Sequence, residues 1–121
     1  MICTDASVAG GSTVYHPRLR ASFVRAIGKY VRERKVTSLP EMIRKMTSLP
    51  AHVYHLDTKG IIAEGYDADL CIFDPNTITD VADYCNCTLA NRGLEYVIIN
   101  GQVVLENGKY NGTRAGKVYR L

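Results

Sequence analysis

Few side chains in the 121-residue chain have types and spacing that could support chemistry. Asp5 follows a short, mostly apolar run, and His16 and Arg18 flank Pro17. A carboxylate can act as a general base and then as a general acid, and an arginine can hold a carboxylate through two parallel hydrogen bonds. From residue types alone, Asp5 is more typical of a helix or turn cap. His16 and Arg18 fit a helix entry and a surface arginine equally well.

Metal-ligand patterns are weak throughout the sequence. His52 and His55 stand three residues apart without a third ligand close by, which favours an ordinary helix face. Cys85 and Cys87 are too close together and too isolated to predict a zinc site, which takes four well-spaced ligands in structural centres. We therefore predict no metal ligand in this chain.

Three aspartates, Asp67, Asp69 and Asp74, flank short apolar runs in the second half of the chain. Such carboxylates could form a metal cluster if they converged. Aspartates that flank strands more often form turns, because their side chains accept hydrogen bonds from the backbone close by. We interpret all three as turn residues.

Composition indicates one ordinary globular domain, with 46% hydrophobic and 22% charged residues and a net charge of +3. No apolar run approaches the ~18 residues that suggest a membrane span, and the N-terminus lacks the pattern of a secretion signal. The expected location is the cytoplasm, where the four cysteines stay reduced.

The first half of the chain has a helical pattern. Residues 19–35 place Phe23, Ile27, Tyr30 and Val31 at helical spacing, which predicts an amphipathic helix that buries these four side chains. Basic residues cover the rest of the helix. Nucleic-acid binding is a weak alternative, because the charges surround an apolar stripe and no aromatic stacking platform accompanies them.

The tetrapeptide Thr-Ser-Leu-Pro occurs at 37–40 and again at 47–50. Each copy is typical of a helix start, with Ser38 or Ser48 as the N-cap and proline in the first turn. Glu41 would complete a capping box with Ser38. The first of these helices should bury a face made of Met42, Ile43, Met46 and Leu49.

The pattern changes to strands and turns near residues 58–60. Ile61–Ile62 and Leu70–Phe73 are short apolar runs typical of strands. Asn100-Gly101 lies between two β-branched runs and predicts a hairpin with a type I′ turn, since Asn and Gly tolerate the positive φ angles of that turn. Residues 76–93 are polar and irregular, which predicts a long surface loop.

These segments together resemble a known family. Residues 60–75, GIIAEGYDADLCIFDP, and 95–104, EYVIINGQVV, resemble the patterns that close proteins of the amidohydrolase superfamily. The elements TDAS at 4–7, HPR at 16–18 and YVRE at 30–33 are similar to its N-acyl-D-amino-acid deacylase, or D-aminoacylase, branch.

The resemblance implies an α+β fragment. Residues 1–57 would form the end of a TIM-like catalytic barrel, with its last strand and following helices. Residues 58–121 would supply the strands of a small β-sandwich that is completed by other parts of the family's longer chain. Strand edges left without a neighbour could pair two copies into a homodimer.

The resemblance also implies a reaction, the hydrolysis of the amide bond of small N-acyl-D-amino acids. Asp5 occupies the position of the carboxylate that takes a proton from a metal-bound water and passes it to the leaving amine. His16 and Arg18 would bind the substrate carboxylate. The family holds zinc with an H-x-H pair and other ligands that this sequence lacks, so we expect the isolated chain to hold no zinc and to be inactive.

Two other functions remain open at this stage. A dihydroorotase- or hydantoinase-like enzyme of cyclic amides shares the closing β pattern, although the elements at 16–18 and 30–33 favour the deacylase. A non-catalytic module that binds a partner protein is the third interpretation. Neither a nucleic acid nor a membrane is an expected partner.

Overall fold

The structure, a computed structural model, describes residues 1–5 and 16–119. Within these residues the helices precede the strands, which confirms the predicted order. The elements are α1 (Arg18–Arg25), a π-helical segment (Ala26–Glu33) that continues it, α2 (Leu39–Met46), α3 (Ser48–Val53), β1 (Leu70–Phe73), β2 (Leu94–Ile99), β3 (Gln102–Glu106) and β4 (Lys109–Tyr110). None of these helices is long and apolar enough to cross a membrane.

The first helix changes its hydrogen-bonding pattern after Arg25. The Arg34 N–H donates to the carbonyl of Lys29, five residues earlier, at 2.9 Å, which is the spacing of a π-helix. The helix meets the core through Val24 and Ile27 together with small residues such as Gly28. Close approach to the rest of the protein requires small side chains, which the spacing of the large apolar residues does not indicate.

The predicted buried face of this helix is partly wrong. Ile27 is buried and Val31 packs against the core, as expected. Phe23 and Tyr30, however, are 42% and 39% exposed. They flank the buried stripe, whose centre is occupied by smaller residues that let the neighbouring loop come close.

Ser38 caps α2 as predicted, because its Oγ accepts a hydrogen bond from the Glu41 N–H at 3.4 Å. The capping box is only half formed, since the Glu41 carboxylate binds the guanidinium of Arg44 at 2.7 and 2.9 Å. The predicted helix face is confirmed in part, with Met42 buried and Ile43 and Met46 packed against the core, whereas Leu49 belongs to the next helix, α3.

The prediction that Ser48 is an N-cap is wrong by one residue. Thr47 is the N-cap of α3, and Ser48 is the first residue of that helix. Thr47 is also the C-cap of α2, and its hydroxyl donates to the Ile43 carbonyl at 2.8 Å. The two helices are so close in sequence that the Thr47 hydroxyl bonds to the end of α2 and does not cap the start of α3.

The strands form one antiparallel sheet in the order β1-β2-β3-β4. Asn100 and Gly101 have φ angles of 48° and 74°, which confirms the predicted turn between β2 and β3. Asn107 and Gly108 repeat these angles between β3 and β4. Two Asn-Gly pairs therefore set the register of three strands.

Two expected strands are not formed in the described residues. Ile61 and Ile62 lie outside the sheet and are 50% and 90% exposed. Residues 1–5 also lie outside it, and the Ile2 N–H donates to the carbonyl of Lys45 in α2 at 3.1 Å. A strand needs a neighbour for its backbone hydrogen bonds, and neither segment has one here.

The loop at 76–93 is irregular, as predicted, but it does not only cover the surface. Ile78 is 1% exposed and belongs to the central core cluster. Arg32 holds this residue in place by donating to its carbonyl at 2.6 Å. The core joins the helices to this loop, with the buried members Val24, Ala26, Ile27, Met42 and Ile78.

Candidate functional site

Asp5 and Arg18 form an ion pair at the start of α1. Arg18 Nη1 lies 3.2 Å from Asp5 Oδ2. The Asp5 side chain is 89% exposed and that of Arg18 is 43% exposed. Such exposed pairs contribute at most about 1 kcal/mol to stability, so the contact matters for the placement of the two groups more than for the fold.

His16 stands beside this pair. Its Nδ1 accepts a hydrogen bond from the backbone N–H of Arg18 at 3.0 Å. Its ring meets the ring of Tyr84 edge-on, with centroids 5.0 Å apart and planes at 81°. Pro17 is buried at the N-cap of α1. The side chains of His16 and Arg18 therefore project from either side of a fixed helix start.

A cleft of about 370 Å³ lies between α1 and the loop at 80–84. Arg18 and Arg25 line it from the helix, where a spacing of seven residues places them on one face. His16 also lines it, and Tyr84 lines it from the loop. Arg18 thus contacts both other predicted site residues, Asp5 through its side chain and His16 through its backbone N–H, and Arg18 and His16 line a common cleft.

The ion pair Arg25–Asp80 lies in the lining of this cleft. Arg25 Nη1 donates to Asp80 Oδ2 at 2.7 Å, and the Asp80 side chain is only 10% exposed. The hydrogen bond to Asp80 raises the pKa of the Arg25 guanidinium above its usual value. The arginine therefore keeps its charge and ties the loop to the helix.

Sequence reasoning missed Asp80 and Tyr84. Both lie in the irregular segment 76–93, which has no periodicity that would indicate which side chains point inward. Arg25 was visible only as one of several basic residues on a helix. Only the fold brings these residues to the cleft.

The aspartates of the second half serve structure, but only Asp74 forms the predicted turn, because Asp67 and Asp69 instead share an ion pair with Lys59. Asp67 accepts hydrogen bonds from Thr58 Oγ1 at 2.9 Å and pairs with Lys59 Nζ at 3.0 Å, and the bond from Lys59 lowers the pKa of Asp67. Asp69 pairs with the same lysine and accepts from the Asn100 N–H at 2.8 Å.

Asp74 forms the predicted turn by accepting from the N–H of Asn76 and the hydroxyl of Thr77, both at 2.9 Å.

No metal site is found within residues 1–5 and 16–119. No three side chains of His, Cys, Asp or Glu there are grouped so that they could hold an ion. His52 and His55 are exposed at and beyond the end of α3. The charged neighbour of Asp5 is a cation, Arg18, so this part of the chain does not itself fit the zinc that the resemblance implies.

Comparisons with known proteins agree with the resemblance. A model of the amidohydrolase family matches residues 2–105. The chain is 41% identical over 105 residues to N-acyl-D-glutamate deacylase of Alcaligenes xylosoxydans xylosoxydans, and 37% identical over 103 residues to D-aminoacylase of the same organism. These matches cover 87% and 85% of the chain and 21% of each relative. The chain spans about a fifth of their length.

A shorter match, 37% identical over 46 residues, covers 38% of the chain and 11% of a dihydroorotase of Lactobacillus johnsonii.

Solved structures show the same likeness. The crystal structure of D-aminoacylase matches with a TM-score of 0.82 and 38% identity, over 85% of this chain and 22% of that one. N-acyl-D-glutamate deacylase from Bordetella bronchiseptica, solved with zinc and a phosphonate inhibitor, matches with a TM-score of 0.80 and 40% identity, over 88% and 22%. A further D-aminoacylase structure concerns its binuclear metal centre. With a family match that covers most of its length and a fold shared with two deacylases, the chain belongs to the amidohydrolase family.

Proposed function

We propose that this chain is the C-terminal portion of a metal-dependent hydrolase that cleaves the amide bond of N-acyl-D-amino acids. In this proposal, residues 1–57 end the catalytic barrel and residues 58–121 supply the strands of the composite sandwich. Ile61 and Ile62, exposed and unpaired here, would meet their strand neighbours in that sandwich.

One observation carries the proposal. Asp5 and His16 both contact Arg18 at the start of α1, Asp5 through the guanidinium from thirteen positions away and His16 through the backbone N–H. They do so in a chain 41% identical to an N-acyl-D-glutamate deacylase. A proton-carrying carboxylate beside a carboxylate-binding arginine is the arrangement that an N-acyl amino acid requires.

Each residue has a chemical role in this proposal. Arg18 binds the substrate carboxylate, because its Nη1 contacts Asp5 while the other N–H groups of the guanidinium can donate to a second carboxylate. His16 binds a second oxygen of the same substrate. Asp5 takes a proton from the attacking water and returns it to the amide nitrogen as the amine leaves. Residues 1–5 and 16–119 contain no group of three side chains that could hold a metal, so in this proposal the metal ligands belong to the rest of the longer enzyme.

Fragment complementation tests the proposal. The chain is mixed, in the presence of zinc, with a polypeptide that covers the remaining four-fifths of N-acyl-D-glutamate deacylase. We expect D-glutamate to be released from N-acetyl-D-glutamate only when both polypeptides are present. The chain alone should release none, and N-acetyl-L-glutamate should not be cleaved by the mixture.

Cyclic amides provide the contrasting assay. The 46-residue match to dihydroorotase is the observation that supports hydrolysis of a cyclic amide as a second candidate function. Ring opening of dihydroorotate by the same mixture, without deacylation, would replace the proposed reaction by the cyclic-amide one. If a mixture with correctly bound zinc and a stable complex of the two polypeptides cleaves neither substrate, a non-catalytic role is favoured.

A further inference from the structure

The imidazole of His16 is held by two neighbours of different kinds. The Arg18 N–H donates to Nδ1 at 3.0 Å, and the Tyr84 ring meets the imidazole ring at a centroid distance of 5.0 Å and an angle of 81°. Edge-on aromatic pairs are favourable at centroid distances of about 4.5–7 Å. One contact fixes a nitrogen and the other fixes the plane of the ring.

The first contact determines where the imidazole proton lies. In neutral histidine one ring nitrogen donates and the other accepts. Since Nδ1 accepts from a backbone N–H, the neutral form of this ring carries its proton on Nε2. His16 lines the cleft, so Nε2–H is the donor that it can offer to a ligand there.

Tyr84 is placed by its loop and not by burial. The residue is 80% exposed, so the fold gains little from its burial. Asp83 fixes the backbone on the far side by accepting from the N–H groups of Cys85 and Asn86 at 2.9 and 2.7 Å. The buried end of the loop is tied to α1 through Asp80. An exposed ring on an anchored loop is well placed to orient the imidazole it touches.

We propose that Tyr84 is a positioning residue that orients His16, so that Nε2–H faces the cleft as a donor to a carboxylate or carbonyl oxygen of an N-acyl amino acid. The identity of this ligand rests on the proposed function. The ring orientation and the tautomer do not, and they can be measured on the chain without any activity.

The first measurement is the tautomer of His16 in the ¹⁵N-labelled chain. Long-range ¹H–¹⁵N spectra at about pH 8.5, where model imidazoles are neutral, distinguish Nε2–H from Nδ1–H. We expect the Nε2–H pattern, together with a ring-current shift of the imidazole protons. An Nδ1–H pattern, or an equal mixture of the two forms, overturns the proposal.

Variants of Tyr84 separate the ring from its hydroxyl. Tyr84→Phe should keep the tautomer and the ring-current shift, because the contact needs only the aromatic ring. Tyr84→Ala and Tyr84→Leu should lose the shift and move the nitrogen signals toward those of free imidazole. Tyr54→Ala is the matched control, as Tyr54 is also exposed and lies beyond α3. If Tyr84→Ala and Tyr84→Leu both fold and leave the His16 signals unchanged, the positioning role is wrong.

Binding and kinetics test the ligand. N-acetyl-D-glutamate should shift the His16 Nε2 signal of the wild-type chain, and this response should weaken several-fold in Tyr84→Ala. In the complementation assay, Tyr84→Ala should raise KM several-fold with a smaller change in kcat, and Tyr84→Phe should restore it. An unaltered KM contradicts the proposal. If no mixture is active, the proposed function fails, while the tautomer and the binding response still decide the role of Tyr84.

Discussion

At the scale of single residues, the candidate site depends on the contact between the Asp5 carboxylate and the Arg18 guanidinium. Asp5 has the properties of an exposed cap when considered alone, and nothing in its neighbours indicates that it meets Arg18. The structure places the two side chains 3.2 Å apart. Asp80 and Tyr84 could not be predicted, because the loop that carries them has no repeating pattern and its shape depends on contacts with α1.

Replacement of Asp5 should affect activity without affecting the fold. We expect Asp5→Asn to lower kcat in the complementation assay by about 10²–10⁴-fold, since the amide cannot carry the proton. The free energy of unfolding of the chain should change by less than about 0.5 kcal/mol, as expected for a surface position. Asp57→Asn, at another exposed aspartate, is the control. Full activity of Asp5→Asn would remove Asp5 from the mechanism.

At the scale of elements, turn and cap chemistry predicted more than hydrophobic spacing did. Asn100-Gly101 and Ser38 act as expected, because their roles depend on a few adjacent residues. The buried face of the first helix was harder to predict. Its closest contact is made by Gly28, where an added Cβ would lie 2.6 Å from the carbonyl oxygen of Ile78.

Gly28→Ala should therefore destabilise the chain although it lies in a helix. Alanine is preferred to glycine in helices by about 1 kcal/mol, but the backbone oxygen of Ile78 cannot move away without disturbing the core. We expect a net loss of about 1–3 kcal/mol in the free energy of unfolding, measured by urea denaturation. Gly116→Ala, which enters open space, should be nearly neutral. Equal stability of the two variants would contradict the close contact.

Acid should weaken the contact between the 58–69 segment and the hairpin turn. The hydrogen bonds from Lys59 and Thr58 lower the pKa of Asp67. Burial alone would raise the pKa of Asp69, but the bonds from Lys59 and from the Asn100 N–H lower it overall. A carboxyl pKa that is lower in the folded state stabilises the fold above the unfolded value of about 3.9, and the effect disappears as pH falls through the folded value.

Urea denaturation at a series of pH values measures this effect. The free energy of unfolding of the wild-type chain should decrease below about pH 4. The double variant Asp67→Asn, Asp69→Asn should be less stable at neutral pH and should show a shallower decrease in acid. Asp57→Asn should retain the wild-type profile. An unchanged acid profile of the double variant would show that these carboxylates do not stabilise the fold.

At the scale of the whole molecule, apolar surface and an open sheet edge remain exposed. β1 lies at one edge of the sheet, and Ile72 on it is 45% exposed. Ile62, in the segment before it, is 90% exposed. The order of helices before strands could be predicted from local patterns. The absence of a strand at 61–62 could not, because pairing depends on a neighbour that no local pattern reveals.

Self-association should follow from these exposed groups. We expect sedimentation velocity to show a reversible monomer–dimer equilibrium, in which the edges of β1 or the apolar surface near Ile62 are covered. Ile62→Lys should weaken it, while Val118→Lys, at a side chain that is 89% exposed in the C-terminal tail, should not. A clean monomer with a cooperative melt at all concentrations would contradict the prediction.

The π-helical segment has a consequence for how this chain tolerates insertions and deletions. Each residue of an α-helix turns the chain by about 100°, so the loss of one residue between Ala26 and Glu33 would rotate α1 by about that angle relative to the core. Arg25 would then point away from Asp80, and Arg18 would leave the cleft. A one-residue deletion that converts this segment to regular α-helical hydrogen bonding should therefore separate the residues of the site. Homologous chains that keep the site should keep the length of this segment.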